Sequence, residues 1–299
     1  MIKPLSDEFK NIFFINGQRN GRYPYSHSLL IEDYLIDTGI SSGFLRKLKR
    51  KFEINNVINS HWHEDHISGN RLLQNAKFIA HERDRPLIEN INNIIKEYYC
   101  VLDTPAETSF DIILEGMFLQ ETKIDKIIEN NDIIKIGDDF ELKVIHTPGH
   151  SAGHCCFLEL NSKIAFLADI DLTSFGPWYA GLDSNLIDFE DSISKLQQLD
   201  IEIAVTSHKG VFYGEKEINQ KLDEYQAKIN DRDKFILENL SESKPLTSEN
   251  LMKKNIIYKF YSEFEAYEII AEEVMLNKHF DKLLKNNLIE KREKGYILI

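Results

Sequence analysis

The chain has 299 residues, 42% hydrophobic, 11% aromatic and 28% charged, enough apolar surface for one or two domains without disulfide staples. Its formal charge of -13 argues against the basic footprint of a nucleic-acid or anionic-membrane binder. The three cysteines, Cys100, Cys155 and Cys156, include an adjacent pair and form no disulfide framework, which points to a reducing compartment. The first residues carry no basic or apolar leader, and no run approaches ~18 apolar residues. A soluble, cytoplasmic protein with no membrane partner is expected.

In chain order, β-prone runs at 11–15, 28–31 and 34–36 predict strands, the last closed by Asp37-Thr38-Gly39. A short basic helix is expected at 45–51. A strand at 56–59 delivers directly into Ser60-His61-Trp62-His63-Glu64-Asp65-His66, and a buried strand follows at 76–80. Strands alternating with helices predict an α/β (α+β) architecture. From about 83 to 131 the pattern loosens, with helical spacing at 86–99 and again at 110–118. That span is too long for a structureless loop and reads as a helical insertion. Strands resume at 133–136, 140–146, 155–159 and 163–167, with an amphipathic helix at 189–199 and a last strand at 203–206.

The tail differs in charge. Residues 225–299 hold 13 basic and 13 acidic side chains, so 1–224 carry the whole -13. Two modules are therefore expected, a larger acidic domain at 1–224 and a small C-terminal domain at 225–299. In the tail, helical spacing at 231–240 and 265–285 leads to a hairpin with Gly295 at its turn, which spells a winged-helix-like unit. A helical docking cap with a frayed hairpin fits the same pattern, and the unit could support a homodimer.

Three histidines and an aspartate, His61, His63, Asp65 and His66, fall within six residues. Packing them together is costly unless a cation organises them, and imidazole with carboxylate suits zinc, iron or manganese. In a turn after a strand, His61 and His63 can face one position while Asp65 and His66 face its neighbour. One loop can thus serve two metals, given further ligands from elsewhere. His150 follows a strand and a Pro-Gly turn, Asp169 ends the apolar strand before it, and His208 follows the strand at 203–206. Asp169 is preferred over Asp171 because it directly follows the apolar run, which leaves Asp171 to cap or support.

These residues, from Ser60 to Gly69 with His150, Asp169 and His208, resemble the HxHxDH signature and remaining ligand positions of the metallo-β-lactamase-fold hydrolases. Asp37-Thr38-Gly39 resembles that superfamily's early strand end, and the likeness covers roughly 10–215. The resemblance implies an αββα sandwich with His61, His63 and His150 on one metal, Asp65, His66 and His208 on the other, and Asp169 bridging. It implies two divalent metal ions, zinc first, with iron or manganese open. A metal-bridging hydroxide would attack a small-molecule (thio)ester, lactone or phosphoester, with Asp65 orienting the nucleophile as well as ligating.

Residues 147–154 resemble glyoxalase II, although its glutathione-contacting basic residues are not recognisable in the tail. Similar text occurs in mono-iron persulfide dioxygenases. Lactamase-beta-like endoribonucleases with a winged-helix tail share the Trp62 of His61-Trp62-His63. The acidic catalytic part weighs against nucleic acid as a partner and for a small-molecule substrate. Lys209, beside His208, and the aromatic loop with Phe175, Trp178 and Tyr179 are the candidate substrate contacts. His154 reads as a supporting partner and His279 as a surface residue.

Overall fold

The computed structural model describes residues 2–94, 116–262 and 265–299. Strands β1 (Ile2–Pro4), β2 (Ile12–Ile15), β3 (Ser28–Ile31), β4 (Tyr34–Ile36), β5 (Asn56–Ile58), β6 (Lys77–His81) and β7 (Lys126–Ile128) form a seven-stranded sheet in sequential order. Pairing is antiparallel from β1 to β4 and parallel from β4 to β7. Its partner has six strands, ordered β13-β12-β11-β10-β9-β8. They are β8 (Ile133–Ile136), β9 (Phe140–His146), β10 (Cys155–Glu159), β11 (Ile164–Ala168), β12 (Ile203–Thr206) and β13 (Gly210–Tyr213).

The strands read as continuous apolar runs because both faces of each sheet are covered. In β3, Leu29 and Ile31 join Ile164, Phe166 and Val205 in the core between the sheets. Leu30 points the other way, to Leu45 and Leu48 of helix α1 (Ser42–Leu48). In β11, Ala165 and Leu167 turn outward to Phe189 and Ile193 of another helix, Leu186–Leu196. Helix, sheet, sheet and helix thus stack in four layers, the expected αββα sandwich.

The helices after α1 are α2 (Glu64–Ile67), α3 (Arg85–Ile88), α4 (Leu186–Leu196), α5 (Glu215–Asn239), α6 (Ser248–Met252) and α7 (Glu265–Lys285), followed by the hairpin β14 (Ile289–Arg292) and β15 (Gly295–Leu298). Within the expected insertion at 83–131, Lys126–Ile128 is the edge strand β7. The helices expected at 86–99 and 110–118 lie partly outside the described residues. Helix α5 begins sixteen residues earlier than the helical spacing at 231–240 suggests, and it runs through position 224. Its buried seam, Ile218, Leu222, Tyr225, Ile229 and Ile236, continues into Met275, Leu276, Phe280 and Ile289 of the tail. One apolar cluster therefore joins tail and outer helical layer. Among the described residues, no helix is long and apolar enough to cross a membrane.

Candidate metal centre

Each candidate ligand stands where a strand empties into a loop. After β5, the chain places His61 and His63 before α2, whose first turn holds Asp65 and His66. After β9, Gly149 takes φ +135, and a Cβ there would lie 2.4 Å from Phe189 of α4. That glycine is needed to seat His150 against α4. At the end of β11 the register with β12 shifts, and Ala168 adopts φ 48. A bulge of this kind re-aims the following side chain, which here is Asp169. His208 follows β12. Gly39, after β4, has no room for a side chain, since a Cβ there would sit 1.5 Å from the carbonyl of Asp65. Gly39→Ala is expected to cost about 2–3 kcal/mol, read from urea unfolding, and to displace α2.

The predicted donors converge in two groups that could hold a metal, His61, His63, His150 and Asp169, and Asp65, His66 and His208; a third group joins Asp171 to Asp169 and His208. His63 Nδ1 lies 3.0 Å from His61 Nε2 and 2.8 Å from His150 Nε2. Asp169 Oδ2 is 3.1 Å from His150 Nε2, 3.9 Å from His61 Nε2 and 3.5 Å from His208 Nε2, while its Oδ1 is 3.0 Å from His66 Nε2. Asp65 Oδ2 is 3.4 Å from His208 Nε2, and its Oδ1 is 3.7 Å from His66 Nε2. One carboxylate thus reaches both groups. Donors at about 2.0–2.1 Å from a tetrahedral zinc lie roughly 3.3–3.4 Å apart, in the middle of these separations.

The outer nitrogens decide the tautomers. His66 Nδ1–H donates to Asp37 Oδ2 at 2.7 Å. Ser60 Oγ–H donates to the same oxygen at 2.6 Å, so its remaining contact, His61 Nδ1 at 3.0 Å, must be a donor. His150 Nδ1–H donates to the Trp178 carbonyl at 3.0 Å and His208 Nδ1–H to the Gly21 carbonyl at 2.6 Å. Four imidazoles are thereby turned with Nε2 lone pairs inward. His66 Nε2 and Asp169 Oδ1, 3.0 Å apart, are buried without a hydrogen-bond partner. Lone pairs this close repel unless a cation lies among them, so the donor set fits divalent metal. Asp37 itself, fully buried at φ 62, steers both His66 and His61. Asp37→Asn is expected to weaken metal affinity 10- to 100-fold, measured by competition with a chromophoric chelator.

For His61, His63 and Asp169 the electrostatics agree with that role, whereas His208, against the cost of burial, is raised to about 10 by Asp171, Asp169 and Asp65. Burial first, then the neighbouring histidines, hold His61 and His63 well below the usual imidazole range. Burial opposes charge on Asp169, but His66, His208, His150 and His61 together keep its carboxyl well below the usual range. A neutral imidazole and an ionised carboxylate are the forms that bind metal. Burial also opposes charge on His66, yet Asp169, Asp65 and Asp37 raise it. Asp171 caps the His208 backbone N–H at 2.8 Å. His154 Nε2 accepts the Asp169 N–H at 3.2 Å, holding the bridging residue from behind.

The cluster floors a cavity of about 540 Å³. Phe175, Trp178 and Lys209 line it, as do Arg22, Tyr258 and Tyr267. Tyr179 does not. It is fully buried, accepting from Arg232 Nη1 at 2.8 Å and donating to His279 Nε2 at 2.6 Å. Alternation along the loop turns it away from its neighbour Trp178, and its assignment as a substrate contact is withdrawn. His279 is likewise fully buried rather than at the surface, because its Nδ1–H donates to Asp233 Oδ1 at 2.6 Å. The tail forms one wall: Trp178 Nε1–H donates to Tyr258 Oη at 3.2 Å, and Trp178 stacks on Tyr267. No local sequence signal marks these tail contacts, which lie about 80 or more residues from their partners. Asp37 could have been found as a carboxylate ending an apolar strand.

Two facing sheets with a cluster of histidine and aspartate donors at one edge define a metal-dependent hydrolase. The chain belongs to the metallo-beta-lactamase superfamily, whose model matches residues 25–208. It is 24% identical over 293 residues to a hydroxyacylglutathione hydrolase from Francisella tularensis subsp. novicida, covering 94% of this chain and 99% of that one. A hydroxyacylglutathione hydrolase from Erythrobacter litoralis is 25% identical over 170 residues, 56% of this chain and 54% of its own length, so here the chain spans about half of its relative. A beta-lactamase domain protein from Burkholderia ambifaria shares the fold with a TM-score of 0.73 at 14% identity, covering 100% of this chain and 93% of that one.

Proposed function

We propose that the protein hydrolyses a thioester or ester bond of a small organic molecule. His61, His63 and His150 would hold one divalent cation, Asp65, His66 and His208 a second, and Asp169 both; zinc suits this donor set best. The observation that carries the reading is the convergence of these seven donors, of which His63, Asp65, His150, Asp169 and His208 line a ring-walled cavity of about 540 Å³, a volume suited to a small ligand. Similarity to hydroxyacylglutathione hydrolases, which act on an acyl-thiol, supports the bond type.

When bound, two such cations acidify a water near neutral pH and polarise the acyl oxygen. The chain's own groups do the rest. Asp65 offers a carboxylate oxygen that can accept a hydrogen bond from the attacking water and orient it. Ser60, Asp37 and the Trp178 and Gly21 carbonyls keep the imidazoles from rotating. Trp178 and Tyr258 exclude bulk water from one side. Both donor groups are complete, which supports two cations over the single iron of a dioxygenase, and the aromatic wall of the cavity, in the acidic part of the chain, favours a small molecule over RNA.

Metal analysis of the purified protein is expected to find two zinc ions per chain, with thioester turnover that a chelator abolishes and zinc restores. One iron per chain with oxygen uptake on a persulfide would overturn the reading. Cleavage of single-stranded RNA with no thioester turnover would replace it with a nuclease.

A further inference from the structure

The cavity's charges are not equally engaged. Glu64 accepts from Tyr23 Oη at 2.8 Å, Asp171 from the His208 N–H at 2.8 Å, and Glu268 from the Ser262 N–H. The cations that line it are Arg22 and Lys209. Both are exposed, and no carboxylate lies within 4 Å of either among the described residues. Their placement is built. Arg22 follows Gly21 and Lys209 follows His208, and His208 Nδ1–H donates to the Gly21 carbonyl at 2.6 Å. The His27 N–H also donates to the Ser207 carbonyl at 2.7 Å, tying the same two loops together. Arg19, Asn20 and Gly21 all take positive φ to make this turn, and a Cβ on Gly21 would strike the His27 ring at 2.7 Å. Two cations with no carboxylate within 4 Å among the described residues therefore line the cavity from two hydrogen-bonded loops next to His208, while Trp178, Tyr258 and Tyr267 supply flat apolar surface elsewhere on the wall.

We infer that the substrate is an amphipathic anion: a thioester or ester with an apolar, ring-compatible portion against Trp178, Tyr258 and Tyr267, and a carboxylate or phosphate bound between Arg22 and Lys209. The inference rests on the hydrolase reading and narrows its substrate class. A guanidinium offers a two-pronged donor to either anion and an ammonium adds a point charge. Neither group touches the scissile bond, so their contribution falls on binding.

The test compares kcat/KM of the zinc-loaded enzyme for four matched substrates. These are a neutral S-benzoyl-N-acetylcysteamine, carboxylates at either end (S-benzoyl-3-mercaptopropionate and S-(4-carboxybenzoyl)-N-acetylcysteamine), and the phosphate S-benzoyl-4′-phosphopantetheine. At least one anion is expected to be preferred over the neutral compound by about tenfold through a lower KM, roughly 1.4 kcal/mol, and which one identifies the anion. In Arg22→Glu and in Lys209→Glu the anionic-to-neutral ratio should fall to about one or below. Equal kcat/KM for all four, or a ratio that survives both substitutions, overturns the inference. Calorimetric binding of the matching uncleavable S-benzyl thioethers separates the two ideas. An anion preference there, erased by Lys209→Glu, upholds the subsite even if no thioester is cleaved, whereas the hydrolase reading falls with turnover.

Discussion

Asp169→Ala is expected to lower kcat/KM by on the order of 10³-fold or more, equivalent to at least about 4 kcal/mol of transition-state stabilisation. It should also reduce the metal content below two ions per chain. Other donors serve one group each, but the Asp169 carboxylate approaches His61 and His150 on one side and His66 and His208 on the other. Removing it leaves His61 and His150 with no carboxylate between them, and His66 and His208 with Asp65 alone. Inward lone pairs then face one another, so the donors that remain would splay or take up protons. Asp169→Asn keeps the shape but offers a neutral, weaker donor, so its metal loss should be intermediate. Metal analysis after dialysis, with turnover of a simple thioester, checks both. Full activity with two bound metals in Asp169→Ala would refute the placement of the centre.

Arg232→Ala is expected to destabilise the fold by roughly 3–5 kcal/mol, read from denaturant midpoints, and to raise KM by loosening the aromatic loop. Arg232 is buried and donates to the Phe175 and Pro177 carbonyls at 2.6 and 2.9 Å and to Tyr179 Oη at 2.8 Å. Its guanidinium also lies 4.9 Å from the centre of the Phe175 ring. Alanine would leave those acceptors buried with no donor. The chain of contacts runs on: Tyr179 to His279, His279 to Asp233, and Asp233 to Lys282, which also pairs with Glu190 of α4. In the other direction, the same loop presents the Trp178 carbonyl to His150 Nδ1–H. Arg232 is thus a positioning residue that ties tail, loop and a candidate ligand together. Arg232→Lys keeps the charge but cannot span both carbonyls, and should recover only part of the stability. An unchanged midpoint in Arg232→Ala would show that the loop is held by its apolar packing alone.

The individual strands and the clustered donors were legible because their information is local, whereas the sandwich arrangement followed only from the family resemblance. β3 and β11 announce themselves as short apolar runs, and His61, His63, Asp65 and His66 sit in one turn. His150, Asp169 and His208 each follow a strand, so chain position already implied placement at one sheet edge. Helix α5 was only half legible. Its seam from Ile218 to Ile236 is written at helical spacing, but its first half is densely charged and the uneven charge along the chain suggested a division inside it. That division is electrostatic, whereas the apolar cluster running from α5 into α7 ignores it.

The sequence by itself determined the candidate donors and most strands, because ligand motifs and strand periodicity act over a few residues, and through its family resemblance it implied the architecture that carries them. Tertiary structure decided the rest. Whether Tyr179 faces the cavity or a buried histidine depends on Arg232 and His279, 53 and 100 residues away. That Arg22 stands beside Lys209 depends on a hydrogen bond between residues 187 apart. One wall of the cavity comes from Tyr258 and Tyr267 of a tail whose pattern, read by itself, suggested a separate module. Contacts of this kind are set by how layers dock and which polar atoms must find partners when water leaves, and no short stretch of sequence encodes them.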